Sequence, residues 1–145
     1  MKNKYYTPSI EEFRVGFKYE LKDLNVYRKD KYDGSQVLKS KSYYDDHGCE
    51  YDAIEDDLKL PNYIRVKYLD KQDIESLGFS YCKTHPGMEQ MEFDKGEYEL
   101  TYDPNFKGKQ WLRINLEGEG DVTLFSGSIK NLSELKILLK QLNIK

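Results

Sequence analysis

Between residues 79 and 129 the chain breaks into five short runs, each separated from the next by turn-forming residues. The runs are Phe79–Cys82, Gln90–Asp94, Glu97–Asp103, Lys109–Leu116 and Val122–Ile129. The breaks are Pro86-Gly87, Lys95-Gly96, Asp103-Pro104 with Gly108, and Gly118-Glu119-Gly120-Asp121. Apolar residues alternate with polar ones in Tyr98/Leu100/Tyr102 and in Leu112/Ile114/Leu116. That period of two places one face of a strand inward and the other outward. Short alternating runs joined by tight turns predict an antiparallel meander. Such a sheet needs its apolar face covered, and the last segment supplies the cover. Leu132, Leu135, Leu138, Leu139 and Leu142 form one helical stripe over about Leu132–Leu142, with Asn131 or Ser133 as cap and Glu134 placed for a capping box. Ile137 points away from that stripe, where it could touch a second copy in a homo-oligomer. The fold class expected is α+β: an antiparallel β-sheet meander, a C-terminal α-helix packed on one face, and one short internal helix.

The internal helix is read at Lys71–Leu77, capped by Asp70 with Asp73 in its first turn and stopped by Gly78. Before it, Tyr63–Leu69 reads as a strand with Ile64, Val66 and Tyr68 on one face and Arg65 and Lys67 on the other. Near the start, Thr7-Pro8-Ser9-Ile10-Glu11-Glu12 reads as one helical turn capped by Thr7, with Pro8 at its first position. Phe13, Val15, Phe17 and Tyr19 then alternate with polar residues and predict a strand. Residues 22–60 carry few apolar side chains and read as a polar surface excursion, with a short helix near Tyr51–Leu58. Charge is polarised there: residues 22–44 hold six basic and three acidic side chains, and 45–57 hold seven acidic and none basic.

At 145 residues the chain is expected to form a single domain, 1–145. Its longest aliphatic run, Ile137-Leu138-Leu139, is far short of the roughly 20 apolar residues of a membrane span. The basic start Met1-Lys2-Asn3-Lys4 has no apolar run behind it, so no secretory leader is expected and the location expected is cytoplasmic. A net charge of −3 argues against whole-molecule attraction to nucleic acid, and no sequence-specific nucleic-acid partner is expected. Two cysteines do not make a disulfide scaffold.

Three stretches carry a resemblance. The first is Tyr6-Thr7-Pro8-Ser9-Ile10-Glu11-Glu12-Phe13 with Val15-Gly16-Phe17. The second runs from Ile64-Arg65-Val66-Lys67-Tyr68-Leu69 through Asp73-Ile74-Glu75-Ser76-Leu77-Gly78-Phe79. The third is Leu124-Phe125-Ser126-Gly127-Ser128-Ile129-Lys130-Asn131 with the leucines of the last helix. Together, over less than half of the chain, they resemble small proteins encoded by phages and prophages of Bacteroidetes. The resemblance implies a phage accessory protein made in a bacterial cytoplasm, and it carries no activity onto any residue.

Reactive chemistry is sparse. The histidines and cysteines fall in two pairs, His47-x-Cys49 and Cys82-x-x-His85, and four N/S ligands are what a structural zinc site takes. The first pair is spaced more tightly than zinc sites prefer, so no cofactor is expected and zinc is the one metal the pattern admits. There is no G-x-S-x-G elbow and no phosphate-cradling glycine loop. A Cys82–His85 dyad would sit at a strand end in a turn-rich stretch, where an unactivated surface pair is the simpler reading. The acidic run Asp45–Asp57 lacks the Asp-x-Asp-x-Asp-Gly order of a calcium loop and reads as solvated. No catalytic residue and no enzymatic activity are therefore expected.

The cationic residues are more suggestive. Arg14/Lys18, Arg65/Lys67 and Arg113 beside Trp111 and Asn115 sit on predicted strands opposite the apolar rows. Gly16, between the first pair, would let a ligand approach the backbone. Arg grips phosphate through two hydrogen bonds, and an indole stacks on a base. The bland alternative is an ordinary polar outer face, balanced by Glu20, Glu92, Glu97, Glu99 and Glu117. The ligand-binding set expected is Arg14, Lys18, Arg65, Lys67, Trp111 and Arg113. Two functions compete. One is a non-enzymatic binder of a small anionic ligand, such as a nucleotide immune signal sequestered by a phage. The other is a protein-interaction or structural module, a virion component or an inhibitor of a host protein, to which 13 Tyr, 6 Phe and 1 Trp lend interface-forming area.

Overall fold

The structure is a computed structural model and describes residues 4–38, 53–118 and 122–145. The chain divides into two compact units, Met1–Tyr68 and Leu69–Lys145, each with its own sheet and its own core. Both sheets are antiparallel, and with the short helices they give the α+β class read from the sequence.

In the first unit, strands β1 (Tyr5–Tyr6), β2 (Lys18–Asp23), β3 (Val26–Lys31) and β4 (Ile64–Lys67) pair in the order β1-β4-β2-β3. Phe13, Phe17, Tyr19, Tyr32, Ile54, Ile64 and Val66 form the core beneath them. Phe13 meets Phe17 edge-on at 4.9 Å and Tyr19 at 5.2 Å, a ring geometry that adds to area burial. The short helix α1 (Ile54–Asp57) is tied down by Ile54 N–H and Glu55 N–H donating to the carbonyls of Val37 and Leu38.

Three expectations need correction here. The opening turn is a 3-10 helix, Ile10–Glu12, and its cap is Ser9 rather than Thr7. Glu12 reaches back to the Ser9 N–H at 2.8 Å, which closes a capping box that Thr7 cannot form. Phe13–Tyr19 is not a continuous strand. The chain turns at Arg14–Phe17, where Phe17 N–H donates to the Arg14 carbonyl and Gly16 takes a φ of +96°. Val15 is left 75% exposed while Phe13 and Phe17 are buried, so the period of two was coincidental. Gly16 serves this turn: its N–H donates to the Tyr32 carbonyl at 2.7 Å, and its left-handed backbone disfavours other residues. Finally, the polar stretch after residue 22 is not all excursion, because β3 pairs with β2 along its whole length.

In the second unit, helix α2 (Lys71–Ser76) follows the Asp70 cap, whose carboxylate accepts from Asp73 N–H at 2.9 Å. Strands β5 (Ser80–Thr84), β6 (Met91–Lys95), β7 (Tyr98–Phe106), β8 (Lys109–Leu116) and β9 (Val122–Gly127) form the meander in sequence order. β7 runs past Asp103-Pro104, because a bulge between Asp103 and Phe106 accommodates the proline. Helix α3 (Leu132–Gln141) presents Leu135, Leu138 and Leu139 to a core of Phe79, Phe93, Leu100, Tyr102, Leu112 and Ile114, and Ile137 stays 41% exposed. Asn131 caps it by accepting from Glu134 N–H, and the Glu134 carboxylate takes the N–H of Lys130 rather than that of Asn131.

Candidate functional site

Strand alternation and register decide which side chains share a face. In the first unit Ile64 and Val66 of β4 and Tyr19 of β2 point into the core. The opposite face then carries Arg65 and Lys67 from β4, with Lys18, Glu20 and Lys22 from β2. Directly paired residues share a face, so Tyr27, Lys29 and Lys31 of β3 join through Lys22↔Tyr27, Glu20↔Lys29 and Lys18↔Lys31. Tyr5 of β1 joins through Tyr5↔Lys67. Among the described residues the face thus holds six cations, Lys18, Lys22, Lys29, Lys31, Arg65 and Lys67, against one acid, Glu20.

At its centre Arg65 is fixed on three sides. Its guanidinium lies 3.7 Å from the Tyr5 ring centre and 3.5 Å from that of Tyr27, between the two rings. Its Nε donates to Glu20 at 3.0 Å. The Tyr27 hydroxyl donates to the Asn62 carbonyl, so the outer ring is itself anchored. The stack spans the sheet from β1 to β3 and holds the arginine rigid. With both ring faces covered, only the edge of the guanidinium remains for an anion.

The surrounding lysines are different. Among the described residues, no carboxylate lies within ion-pair distance of Lys18, Lys22, Lys29 or Lys31, and all four are exposed. Lys18 stands directly opposite Lys31, an arrangement that costs stability in an antiparallel pair. The face is flat. At about 4.8 Å between strands and 3.4 Å per residue, the cations from β4 to β3 and from Lys18 to Lys22 cover roughly 10 by 13 Å.

The expected binding residues therefore divide. Lys18, Arg65 and Lys67 come together on this face, whereas Arg14 is an exposed residue of the Arg14–Phe17 turn and not part of a strand. Trp111 and Arg113 lie on β8 in the second unit. There the Arg113 guanidinium sits 5.5 Å from the Trp111 ring centre, and the indole N–H donates to Ser126 at 3.2 Å. Arg113 Nε and Asn115 Oδ1 are buried with no hydrogen-bond partner among the described residues. Sequence reading missed Lys22, Lys29, Lys31, Tyr5 and Tyr27. The signal was there: Tyr27, Lys29 and Lys31 alternate with period two, but in a stretch read as loop.

His47 and Cys49 lie outside the described residues. Cys82 and His85 face different carboxylates: the thiol donates to Asp94 at 2.9 Å, and His85 Nε2 lies 2.9 Å from Glu92. The Asp94 bond, aided by burial and by neighbouring negative charge, pushes the Cys82 thiol up to about 11. It is therefore protonated at neutral pH and a poor nucleophile. Asp94, Glu99 and Glu117 bring carboxylate oxygens within 4.8 Å of one another on the exposed side of the second sheet. Beneath the cationic face, burial and then the charges of Asp30, Asp33 and Asp57 push Tyr19 up to about 12, so it stays neutral. Comparison with protein-family models, curated proteins and solved structures found no match.

Proposed function

We propose that this protein is a non-catalytic binder of a phosphate-bearing anion, held on the cationic face of the first sheet. The observation that carries the reading is the concentration of six cations around one acid, with Lys18 set opposite Lys31. An outer sheet face needs polarity, and mixed charge would supply it at lower cost. Lysines act as mobile point charges, and the clamped Arg65 adds one fixed guanidinium edge. A footprint of roughly 10 by 13 Å suits several phosphates better than one, as in a nucleotide di- or triphosphate or a cyclic oligonucleotide. Local positive potential coexists with the net charge of −3 because clusters set the field.

Resemblance to phage-encoded proteins supplies a setting for this reading: sequestration of a nucleotide signal that an infected bacterium uses in defence. Binding alone would serve it. Thermal melting with and without a nucleotide panel tests the proposal. A ligand at 100 times its Kd adds about 2.7 kcal/mol to the unit that holds it. The gain should fall as salt is raised and in Lys18→Glu and Lys29→Glu. No shift with any phosphate-bearing ligand, or equal shifts in those variants, overturns it.

One observation favours the protein-interaction reading instead. Phe106, 44% exposed at the β7–β8 hairpin, packs on Trp111 at 5.4 Å with Lys107 beside it, the kind of aromatic and cationic group found at protein contacts.

A further inference from the structure

The second unit carries a separate cleft of about 400 Å³ at the C-terminal end of α3. Its floor is aliphatic, made by Leu77, Leu139 and Ile144. Its rim is cationic, made by Lys95, Lys136, Lys140 and Lys145, and among the described residues no acidic side chain lines it.

The sequence builds this cleft through a helix stop. Asn143 takes a φ of +58°, which lets Asn143 N–H donate to the Lys140 carbonyl and Ile144 N–H to the Leu139 carbonyl. That is a Schellman stop, and it folds Ile144 back onto Leu139. The last carbonyls of α3 are thereby partly satisfied. The helix's negative end, equivalent to about half a charge, is small against four ammonium groups.

Two of the lysines are placed at a cost. Lys136 and Lys140 are one turn apart on α3, a like-charge spacing that destabilises a helix. Lys95 is pinned: it crosses Gly78, where an added Cβ would lie 3.3 Å from its Cε and Nζ, and it donates to the Leu77 carbonyl at 2.7 Å.

We infer that this cleft binds a free, single-tailed anion: a phosphate or carboxylate head on an aliphatic body. The head meets the lysine rim and the body covers the leucine and isoleucine floor. Among the described residues no aromatic ring lines the cleft to serve as a platform for a nucleobase, which separates this ligand from the one proposed for the first sheet. The volume lies within the range of small-ligand sites.

Calorimetric titration of the full chain with inorganic phosphate and with methyl, butyl and hexyl phosphate tests the inference. Affinity should rise about twofold to fourfold per methylene from methyl to hexyl. Lys136→Glu with Lys140→Glu should weaken hexyl phosphate at least tenfold, and both positions are exposed, so the fold should survive. Lys109→Glu, at the exposed start of β8 and away from the cleft lining, should leave hexyl phosphate binding unchanged. Equal affinity for inorganic and hexyl phosphate would overturn the aliphatic assignment. Hexyl phosphate binding that ignores the Lys136/Lys140 double change would overturn the site. Binding to phosphatidylglycerol vesicles but not to monomeric alkyl phosphates would overturn it in favour of a membrane surface.

Discussion

Replacing Lys18 by Glu should stabilise the first unit and weaken its ligand at the same time. Lys18 and Lys31 are a direct cross-strand pair, so their Cβ atoms lie about 5 Å apart, and ammonium groups about 6 Å apart set the upper bound on their repulsion. Two unit charges at 6 Å in water repel by about 0.7 kcal/mol, and physiological salt roughly halves that. Changing the sign of one partner converts the repulsion into a similar attraction, for a gain of about 0.5–0.7 kcal/mol. In a unit of 68 residues that is a rise of roughly 2–5 °C in Tm. Thermal melts followed by circular dichroism, at low and high salt, measure it. The gain should shrink as salt rises. A bound polyphosphate should lose about tenfold in affinity, because one attractive charge becomes repulsive. Opposite signs for stability and binding are what a functional charge cluster requires. If Lys18→Glu lowers Tm, or if binding survives unchanged, the reasoning from paired lysines fails.

Other expectations follow from single contacts. Tyr102 is fully buried and its hydroxyl donates to the Leu69 carbonyl at 2.9 Å. Tyr102→Phe should therefore cost about 1–3 kcal/mol in urea unfolding, followed by the single Trp, Trp111, which sits in the same unit. Arg65→Lys should lose about 1–2 kcal/mol, because an ammonium cannot lie flat between Tyr5 and Tyr27 while also meeting Glu20. A neutral result there would show that the stack is incidental. Gly78→Ala should cost about 1–2 kcal/mol from its φ of +93° alone, and more while Lys95 is present. The same substitution in a Lys95→Ala background isolates that contact. Cys82 should alkylate slowly until pH approaches about 11. Asp94→Asn removes the main cause and should speed alkylation at pH 8 by tenfold or more, and an unchanged rate would refute the hydrogen bond's role.

The second unit was largely legible because its local signals agree. Asp70 and Gly78 bracket α2, alternation marks β7 and β8, and turn residues separate the strands. Its misses are local: Pro104 looked like a strand end, and a bulge absorbs it. Ile144 was not foreseen as core because the stop runs through Asn143 rather than glycine. The first unit was harder. The β2–β3 hairpin turns at Leu24, with a φ of +56° and 89% exposure, where sequence rules look for glycine or asparagine. β3 also buries almost nothing, so no apolar alternation announced it. The cationic face depends on that strand. Without β3, Lys29, Lys31 and Tyr27 had no partners, and Arg65 looked like a free ligand-gripping side chain rather than one stacked between two rings.

Amide nuclear magnetic resonance during titration with inorganic tripolyphosphate decides whether the first sheet binds an anion, because it reports where on the chain the anion sits. Saturating shifts should concentrate on β2, β3 and β4, at Lys18, Lys22, Lys29, Lys31 and Arg65, and should collapse in Lys18→Glu/Lys29→Glu. Shifts that scatter without saturating, or that leave those three strands untouched, would contradict the claim.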